Sequence, residues 1–435
     1  MLTENVPKNK IPNYNLLGSP IEGLIGATIG FFIGFAAVSL FGPVAKEFKQ
    51  ILNLKDFQVG LLVAIPMLTG SLLRIPFAAM VDAIGGRIPF MILLITAIIG
   101  MLGISFLLFN TQLVSYNLLL ILGALCGFGI ATFSVGIAQT SYWFPQKKQG
   151  WALGVYAGVG NLAPGIFALI IPFILPSLGL AKTYLIWLAF LLIGTIVYYL
   201  ISKDAYYFQL VKQKINQEEA IEISKSKGQE LFPTGALLKS LKISGSTLEN
   251  WLLVWLYFIS FGGFLALTAW FPTFYQELFS YKKQIAGVLT ALFSIGASLI
   301  RVWGGGFSDK ISGERASLIA MISILVGSII VTLMGNNIIW VILGVILLAF
   351  GMGLNNAAVF KIVPKVIPKA VGGAAGWIGG LGALGGFVIP PLLGKIVDIL
   401  GKSGFYIGFS VFVLISITGI ITVLYLSSKT KKLTN

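Results

Sequence analysis

Twelve runs of predominantly apolar residues, each close to twenty long, divide the chain at roughly 21–43, 59–81, 88–109, 117–142, 151–176, 183–201, 250–272, 285–307, 316–334, 337–360, 371–394 and 403–427. A bilayer core is about 30 Å thick and an α-helix rises about 1.5 Å per residue, so each run is long enough to cross once. In lipid every backbone N–H and C=O must be satisfied internally, which favours helices for such runs. The expected class is therefore an all-α membrane protein with twelve transmembrane helices. Composition agrees: the chain is 57% hydrophobic and 10% charged, against about 45–50% and about 25% for soluble domains. A single cysteine, Cys126, and the absence of histidine leave neither a disulfide framework nor the usual metal ligands and proton relays. No metal and no cofactor is expected.

The one long polar connection, 202–249, separates six runs from six. The expected organisation is a tail over 1–20, a first bundle over 21–201, a linker over 202–249, a second bundle over 250–427 and a tail over 428–435. The first twenty residues lack the basic start, apolar core and cleavage pattern of a signal peptide. Placing both termini and the linker in the cytoplasm puts 20 Lys and Arg on that side and 8 on the other, in keeping with the positive-inside rule. The net charge of +15 thus records orientation in the cell membrane. It does not call for nucleic acid.

The halves repeat one another. "GSLLRIPFAAMVDAIGGR" (70–87) matches "GASLIRVWGGGFSDKISGER" (296–315), with Arg eight residues before Asp in both and Arg74 and Arg301 separated by 227 positions. "GVYAGVG" (154–160) matches "GWIGGLG" (376–382) at an offset of 222, and "GFG" (127–129) matches "GMG" (351–353). Two six-helix repeats about an axis along the membrane normal are the arrangement of major facilitator transporters, whose substrates sit at the midplane between halves.

Arg74 lies about 12 Å along its helix from Asp82 at the helix end, which is near mid-membrane. Two central arginines cost roughly 5–7 kcal/mol on insertion scales. Snorkelling over that distance is poor, and no Asp or Glu occupies the interior of any run. A bound anion would neutralise the deficit. The forked, planar guanidinium suits a small planar oxyanion through paired hydrogen bonds, and the repeat predicts that Arg74 and Arg301 face one another across a central cavity. Nine glycines crowd "GGAAGWIGGLGALGGFVIPPLLG" (372–394). Close helix packing and a helix that bends as the halves rock are both open readings for Gly379, Gly380, Gly382, Gly385 and Gly386, and for Gly158 and Gly160 on the fifth run. Asn161 adds a neutral donor and acceptor there, either for a ligand or for a neighbouring helix.

These stretches resemble the nitrate/nitrite porter family of the major facilitator superfamily. "GLLVAIPMLTGSLLRIP" (60–76) is similar to its second-helix signature, "GNLAPG" (160–165) and "GWIGGLGALGGF" (376–387) to its glycine signatures, and "GLNNAAVFKIVP" (353–364) to its tenth-helix pattern. The resemblance covers nearly the whole chain. It implies the major facilitator fold, and an anion clamped by Arg74 and Arg301, ringed by Phe133, Tyr257 and Phe261 and hydrogen-bonded by Asn161. Ordinary core packing is the other reading of the three aromatic rings. Tyr257 and Phe261 are four apart and so share a helix face. Two residues depart from the family pattern: Pro164 stands where glycine or another small residue is usual, and Ala383 interrupts the glycine pattern of the eleventh helix. Asp82 and Arg87, with their counterparts Asp309 and Arg315, are expected to act as conformational latches and not as ligands.

The expected function is alternating-access transport of nitrate, nitrite or both, with exchange favoured because no titratable relay is visible in the runs. A formate or short-carboxylate carrier and a proton-coupled nitrate symporter are the alternatives. A sensor built on the same fold would need a larger signalling domain than 202–249 or the tail provides. No nucleophile–base pair, metal cluster or phosphate loop supports an enzyme. A monomer in the bilayer suffices for this mechanism.

Overall fold

The computed structural model describes residues 14–233 and 237–434, and every regular element among them is helical. Eleven helices among the described residues are long and apolar enough to cross a membrane, consistent with the twelve expected spans because Gln146–Ile201 is long enough for two. They are span 1 (Pro20–Leu52), span 2 (Asp56–Ile84), span 3 (Arg87–Phe109), span 4 (Tyr116–Trp143), spans 5 and 6 (together Gln146–Ile201), span 7 (Leu248–Leu278), span 8 (Lys283–Ile311), span 9 (Gly313–Met334), span 10 (Ile338–Val366), span 11 (Pro368–Ile407) and span 12 (Ser410–Lys429). Spans 5 and 6 join at Gly179, whose φ of +72° is costly for any residue with a Cβ. Span 1 outruns its expected end: the 3₁₀ turns Ala36–Ser39 and Gly42–Val44 lead directly into a helix over Ala45–Leu52. Its start is capped by Ser19, whose hydroxyl accepts the Glu22 N–H, with Pro20 in the first turn, a combination suited to free amide donors.

The polar stretch between the halves is itself folded, into short helices Tyr206–Lys212, Gln217–Ser226 and Leu237–Gly245. Its two ends are held by different halves. On the first, Asp204 accepts the Arg87 N–H at 2.9 Å and pairs with Lys212 at 2.6 Å, and Glu230 accepts the Gln146 N–H at 2.9 Å. On the second, Ser240 Oγ accepts the Gly373 N–H and the Leu241 carbonyl accepts Trp377 Nε1–H, both at 2.9 Å. The membrane side bearing this stretch is called the linker face below, and the other the far face.

Spans 2 and 11, and spans 5 and 8, form the seam between halves. Near the far face the seam is shut at backbone distance. A Cβ on Gly60 would lie 2.4 Å from the Pro390 carbonyl oxygen, one on Gly394 2.2 Å from that of Asp56, and one on Gly287 2.6 Å from that of Ala168. Polar contacts reinforce it: the Asp398 carboxylate accepts the N–H groups of Asp56 and Phe57 at 2.8 and 3.1 Å, and Lys283 pairs with Glu47. A carboxylate at a helix N-terminus satisfies free donors and complements the dipole. Toward the linker face the seam is open. A Cβ on Gly150, Gly154, Gly305, Gly306 or Gly372 would meet nothing within 4 Å.

Candidate functional site

The open end of the seam leads into a cavity of about 300 Å³ whose wall includes Arg74, Phe133, Tyr142, Phe360 and Gly379. Span 2 is interrupted at the arginine, with helices Asp56–Leu72 and Arg74–Ile84 meeting at Leu73. The cause is local: Pro76 has no N–H for the Leu72 carbonyl, and its ring crowds the preceding turn. Ser134 Oγ of span 4 donates to the Arg74 carbonyl at 2.9 Å and holds the break. The Arg74 side chain, 1% exposed, points into the seam, where Nη1 donates to the Gly379 carbonyl of the opposite half at 2.7 Å.

Both guanidiniums converge on the same two rings. The Arg74 guanidinium carbon lies 4.8 Å from the Phe133 centroid and 5.1 Å from that of Phe261, and that of Arg301 lies 5.7 and 5.6 Å from them. Such contacts contribute about 2 kcal/mol or more each when desolvated, which offsets part of the cost of burying the cations. It does not satisfy their donors. Arg74 Nε and Nη2 and Arg301 Nη1 are buried without hydrogen-bond partners, and neither arginine has a carboxylate partner among the described residues. Unmade hydrogen bonds at buried charged groups are costly. The fully buried Tyr257 hydroxyl and the Asn161 Oδ1 are likewise unpartnered.

The aromatic residues form a continuous stack. Tyr257 lies on Phe261 at 4.9 Å and 16°, Phe261 on Phe133 at 6.2 Å, and Phe133 against Phe31 at 5.3 Å. Asn161 caps Gln146–Gly160, and its carbonyl accepts Ser298 Oγ from span 8 at 3.1 Å, a further link across the seam. The six residues expected at an anion site thus come from both halves, and the arginines, Phe133, Phe261 and Tyr257 form one connected cluster.

Spacing alone missed several members. Phe31, Phe35 and Phe360 extend the stack, but they read as ordinary apolar residues of spans 1 and 10. Gly379 contributes a carbonyl, which no side-chain pattern announces. Span 7 contains a π turn, Phe258–Gly262, between Tyr257 and Gly263, which the sequence pattern did not announce, while the rings of Tyr257 and Phe261 share a face as their spacing implies.

Of the glycines, Gly379 faces open space, whereas six are closely packed. A Cβ on Gly160 would lie 1.9 Å from Phe31, on Gly380 2.9 Å from Ile75, on Gly382 2.9 Å from Tyr257, on Gly385 2.6 Å from the Phe258 carbonyl, on Gly386 2.8 Å from Leu265, and on Gly158 3.2 Å from Val302. The four expected latch residues stay within their own halves. Asp82 accepts the Tyr142 hydroxyl at 2.5 Å, Arg87 donates to the Tyr199 carbonyl at 2.8 Å and covers its ring at 4.3 Å, and Asp309 pairs with Lys361. The Arg315 N–H donates to the Ser312 hydroxyl at 3.3 Å, and its side chain is exposed. Gly85, with φ of +84°, turns the chain so that Arg87 meets the end of span 6, and no Asp82–Arg87 pair forms. Pro164 sits in the first turn of its helix, where a missing N–H costs nothing, and its carbonyl accepts Ser39 Oγ at 2.7 Å. Ala383 is fully buried in a 3₁₀ turn, Gly382–Leu384, that interrupts span 11.

Residues 27–390 match the family model of the Major Facilitator Superfamily. The chain is 31% identical over 389 residues to a probable nitrate/nitrite antiporter, NarK1, of Thermus thermophilus, covering 84% of this chain and 83% of that protein. It is 28% identical over 404 residues to a probable nitrate transporter, NarT, of Staphylococcus epidermidis, covering 93% and 96%. Among solved structures, the xylose transporter XylE of E. coli, in a partially occluded inward-open conformation, superposes with a TM-score of 0.68 at 13% identity over 94% of this chain and 99% of that one. That likeness shows the fold. With the family model spanning most of the chain and the nitrate relatives matching over most of their length, the protein belongs to the Major Facilitator Superfamily and, within it, to the nitrate/nitrite porter family.

Proposed function

We propose that the protein carries nitrate, nitrite or both across the cell membrane, holding one anion between Arg74 and Arg301 and exchanging one for another by alternating access. The observation that carries the reading is the pair of guanidiniums with buried, unpartnered donors, set on shared rings and without a carboxylate partner among the described residues. A planar oxyanion accepts from Arg74 Nε and Nη2, Arg301 Nη1 and the Tyr257 hydroxyl at once. Phe133 and Phe261 keep water away, which strengthens each of these contacts. The relatives named for nitrate and nitrite support the choice of ion. The Lys and Arg distribution supports a cytoplasmic linker face, so the conformation described is open to the cytoplasm and shut outside. The roles of Phe133, Asn161, Tyr257 and Phe261 as ligand contacts, and a monomeric unit, belong to the same proposal.

Coupling follows from charge. Two fixed cations repel when the site is empty, and closing the seam around them removes the water that screens them. An anion cancels that penalty, so the loaded carrier crosses and the empty one does not. The chain has no histidine, the usual proton relay, and exchange needs none.

The test is uptake of labelled nitrate into proteoliposomes with an empty or a nitrite-loaded lumen, for wild type and Arg301→Lys. Uptake confined to loaded vesicles, and lowered at least about 100-fold by a lysine that cannot reproduce the planar fork, is expected. Uptake into empty vesicles driven by a proton gradient would make it a symporter. No movement of either ion would replace them with formate or another short carboxylate.

A further inference from the structure

Span 7 is not one continuous α-helix. The π turn Phe258–Gly262 separates Leu248–Tyr257 from Gly263–Leu278, and the Gly263 N–H reaches back five residues to the Phe258 carbonyl. Such insertions weaken a helix and persist where neighbouring groups hold them, frequently at functional sites. Here the neighbours can be named. Asn355 of span 10, fully buried, donates through Nδ2 to the Leu256 carbonyl at 3.1 Å and to Ser260 Oγ at 2.9 Å. Ser260 Oγ in turn donates to the same Leu256 carbonyl at 3.1 Å. From the other side, span 11 grips the turn without side chains: a Cβ on Gly262 would lie 2.6 Å from Gly385 Cα, and one on Gly385 2.6 Å from the Phe258 carbonyl.

The turn controls the rings of the site. Tyr257 precedes it and Phe261 lies inside it, and Phe261 faces both guanidiniums at 5.1 and 5.6 Å. Healing a π turn into α-helix shifts the register by one residue, about 100° about the axis. Tyr257, just before the turn, and Phe261, inside it, would then be re-aimed relative to Gly263–Leu278 and to the arginines. Resting on the anion-site reading above, we infer that Asn355 is a positioning residue: its amide holds the Leu256 carbonyl and the Ser260 hydroxyl in the π turn, and through them keeps Phe261 under the arginines and the Tyr257 hydroxyl turned toward the anion.

The experiment compares Asn355→Leu, which keeps similar volume without donors, and Asn355→Ala with wild type and Arg301→Lys, all full-length and reconstituted. Nitrate and nitrite counterflow is measured to separate KM from Vmax per folded transporter. The expected result for both Asn355 variants is a KM for nitrate raised about tenfold, as for a misplaced binding group, together with an altered ratio of nitrate to nitrite KM. A residue with only a structural role would lower the folded fraction, leaving KM and that ratio at wild-type values, and this outcome overturns the proposal. Ser260→Ala, which removes one bond and little volume, is expected to shift KM the same way by less, and it decides the matter if neither Asn355 variant folds. If Arg301→Lys transports nitrate with wild-type KM, the anion-site reading itself fails. If it is inactive while the Asn355 variants keep wild-type KM, only the positioning role falls.

Discussion

The two ends of the seam between the halves use the same residue for opposite purposes. At the far face, Gly60, Gly394 and Gly287 are glycines because a neighbouring carbonyl already occupies the space a Cβ would need. At the linker face, Gly150, Gly154, Gly305, Gly306 and Gly372 have nothing to make room for. In a static protein the second group would be hard to explain, since each glycine inside a helix costs about 1 kcal/mol relative to alanine. The repeat makes sense of it. Gly150 and Gly372 occupy equivalent positions in the two halves, at the same offset of 222 as the glycine signatures. An unfilled surface that recurs in both repeats is what a second conformation, shut at the linker face, would fill. One end of the seam is seen after closure and the other before it.

The largest effect should come from preventing the far face from shutting. In Gly394→Ala the new methyl group meets the Asp56 carbonyl oxygen and carbon at 2.2 and 2.6 Å, backbone atoms that cannot swing aside. Overpacking of this kind costs about 1–3 kcal/mol, and it falls on the one conformation in which the contact exists. Transport should drop by at least about tenfold. The only native cysteine, Cys126, is buried, so a Gln276→Cys reporter at the far end of span 7, 4% exposed in this conformation, can be read with an impermeant thiol reagent. Its labelling should rise in the Gly394→Ala background. Unchanged labelling and unchanged transport would mean that the contact is not needed in the cycle.

A smaller and more telling effect is expected at the open end. Gly154→Ala and Gly305→Ala clash with nothing, so each should stabilise the folded protein by about 1 kcal/mol through helix propensity. If these positions come into backbone contact when the linker face shuts, the same variants should transport several-fold more slowly while binding nitrate as before. Stability and turnover would then move in opposite directions, measurable as melting temperature against counterflow rate. Faster melting with unchanged turnover, or higher stability with full activity, would break the comparison.

Much of this was legible in the residues, and what was not has a common cause. Hydropathy marks the spans because lipid leaves a backbone few other options. Arg74 and Arg301 stand out because a guanidinium in an apolar run is expensive, and their shared repeat position predicts that they meet. The π turn at Phe258–Gly262 is different. Its own residues carry no signal for it, since it is held by Asn355 from nearly a hundred positions away and by the glycine backbone of span 11. The Gly379 carbonyl, which accepts from Arg74 Nη1, is equally silent. The partners of the latch residues are hidden for a related reason: in this conformation Asp82, Arg87 and Asp309 find them within their own halves, a choice set by tertiary geometry and not by the spacing of Arg, Asp and Gly in the repeats.

The smallest expected effect tests whether charge or packing keeps the far face shut. The Glu47–Lys283 pair spans the seam there, with side chains 21% and 31% exposed, and Lys46 approaches Glu277 more loosely at 3.8 Å. Partly exposed pairs contribute about 0.2–1 kcal/mol, well below the cost assigned to a misplaced methyl group at Gly394. Glu47→Gln should therefore raise far-face labelling of the Gln276→Cys reporter only about two- to threefold. The increment should fade at high salt, where the screening length falls to about 3 Å. Packing has no such screening, so the Gly394→Ala effect should survive the same salt. If instead Glu47→Gln opens the far face as strongly as Gly394→Ala, and salt opens the wild type too, then the ion pair governs closure and the packed glycines merely permit it.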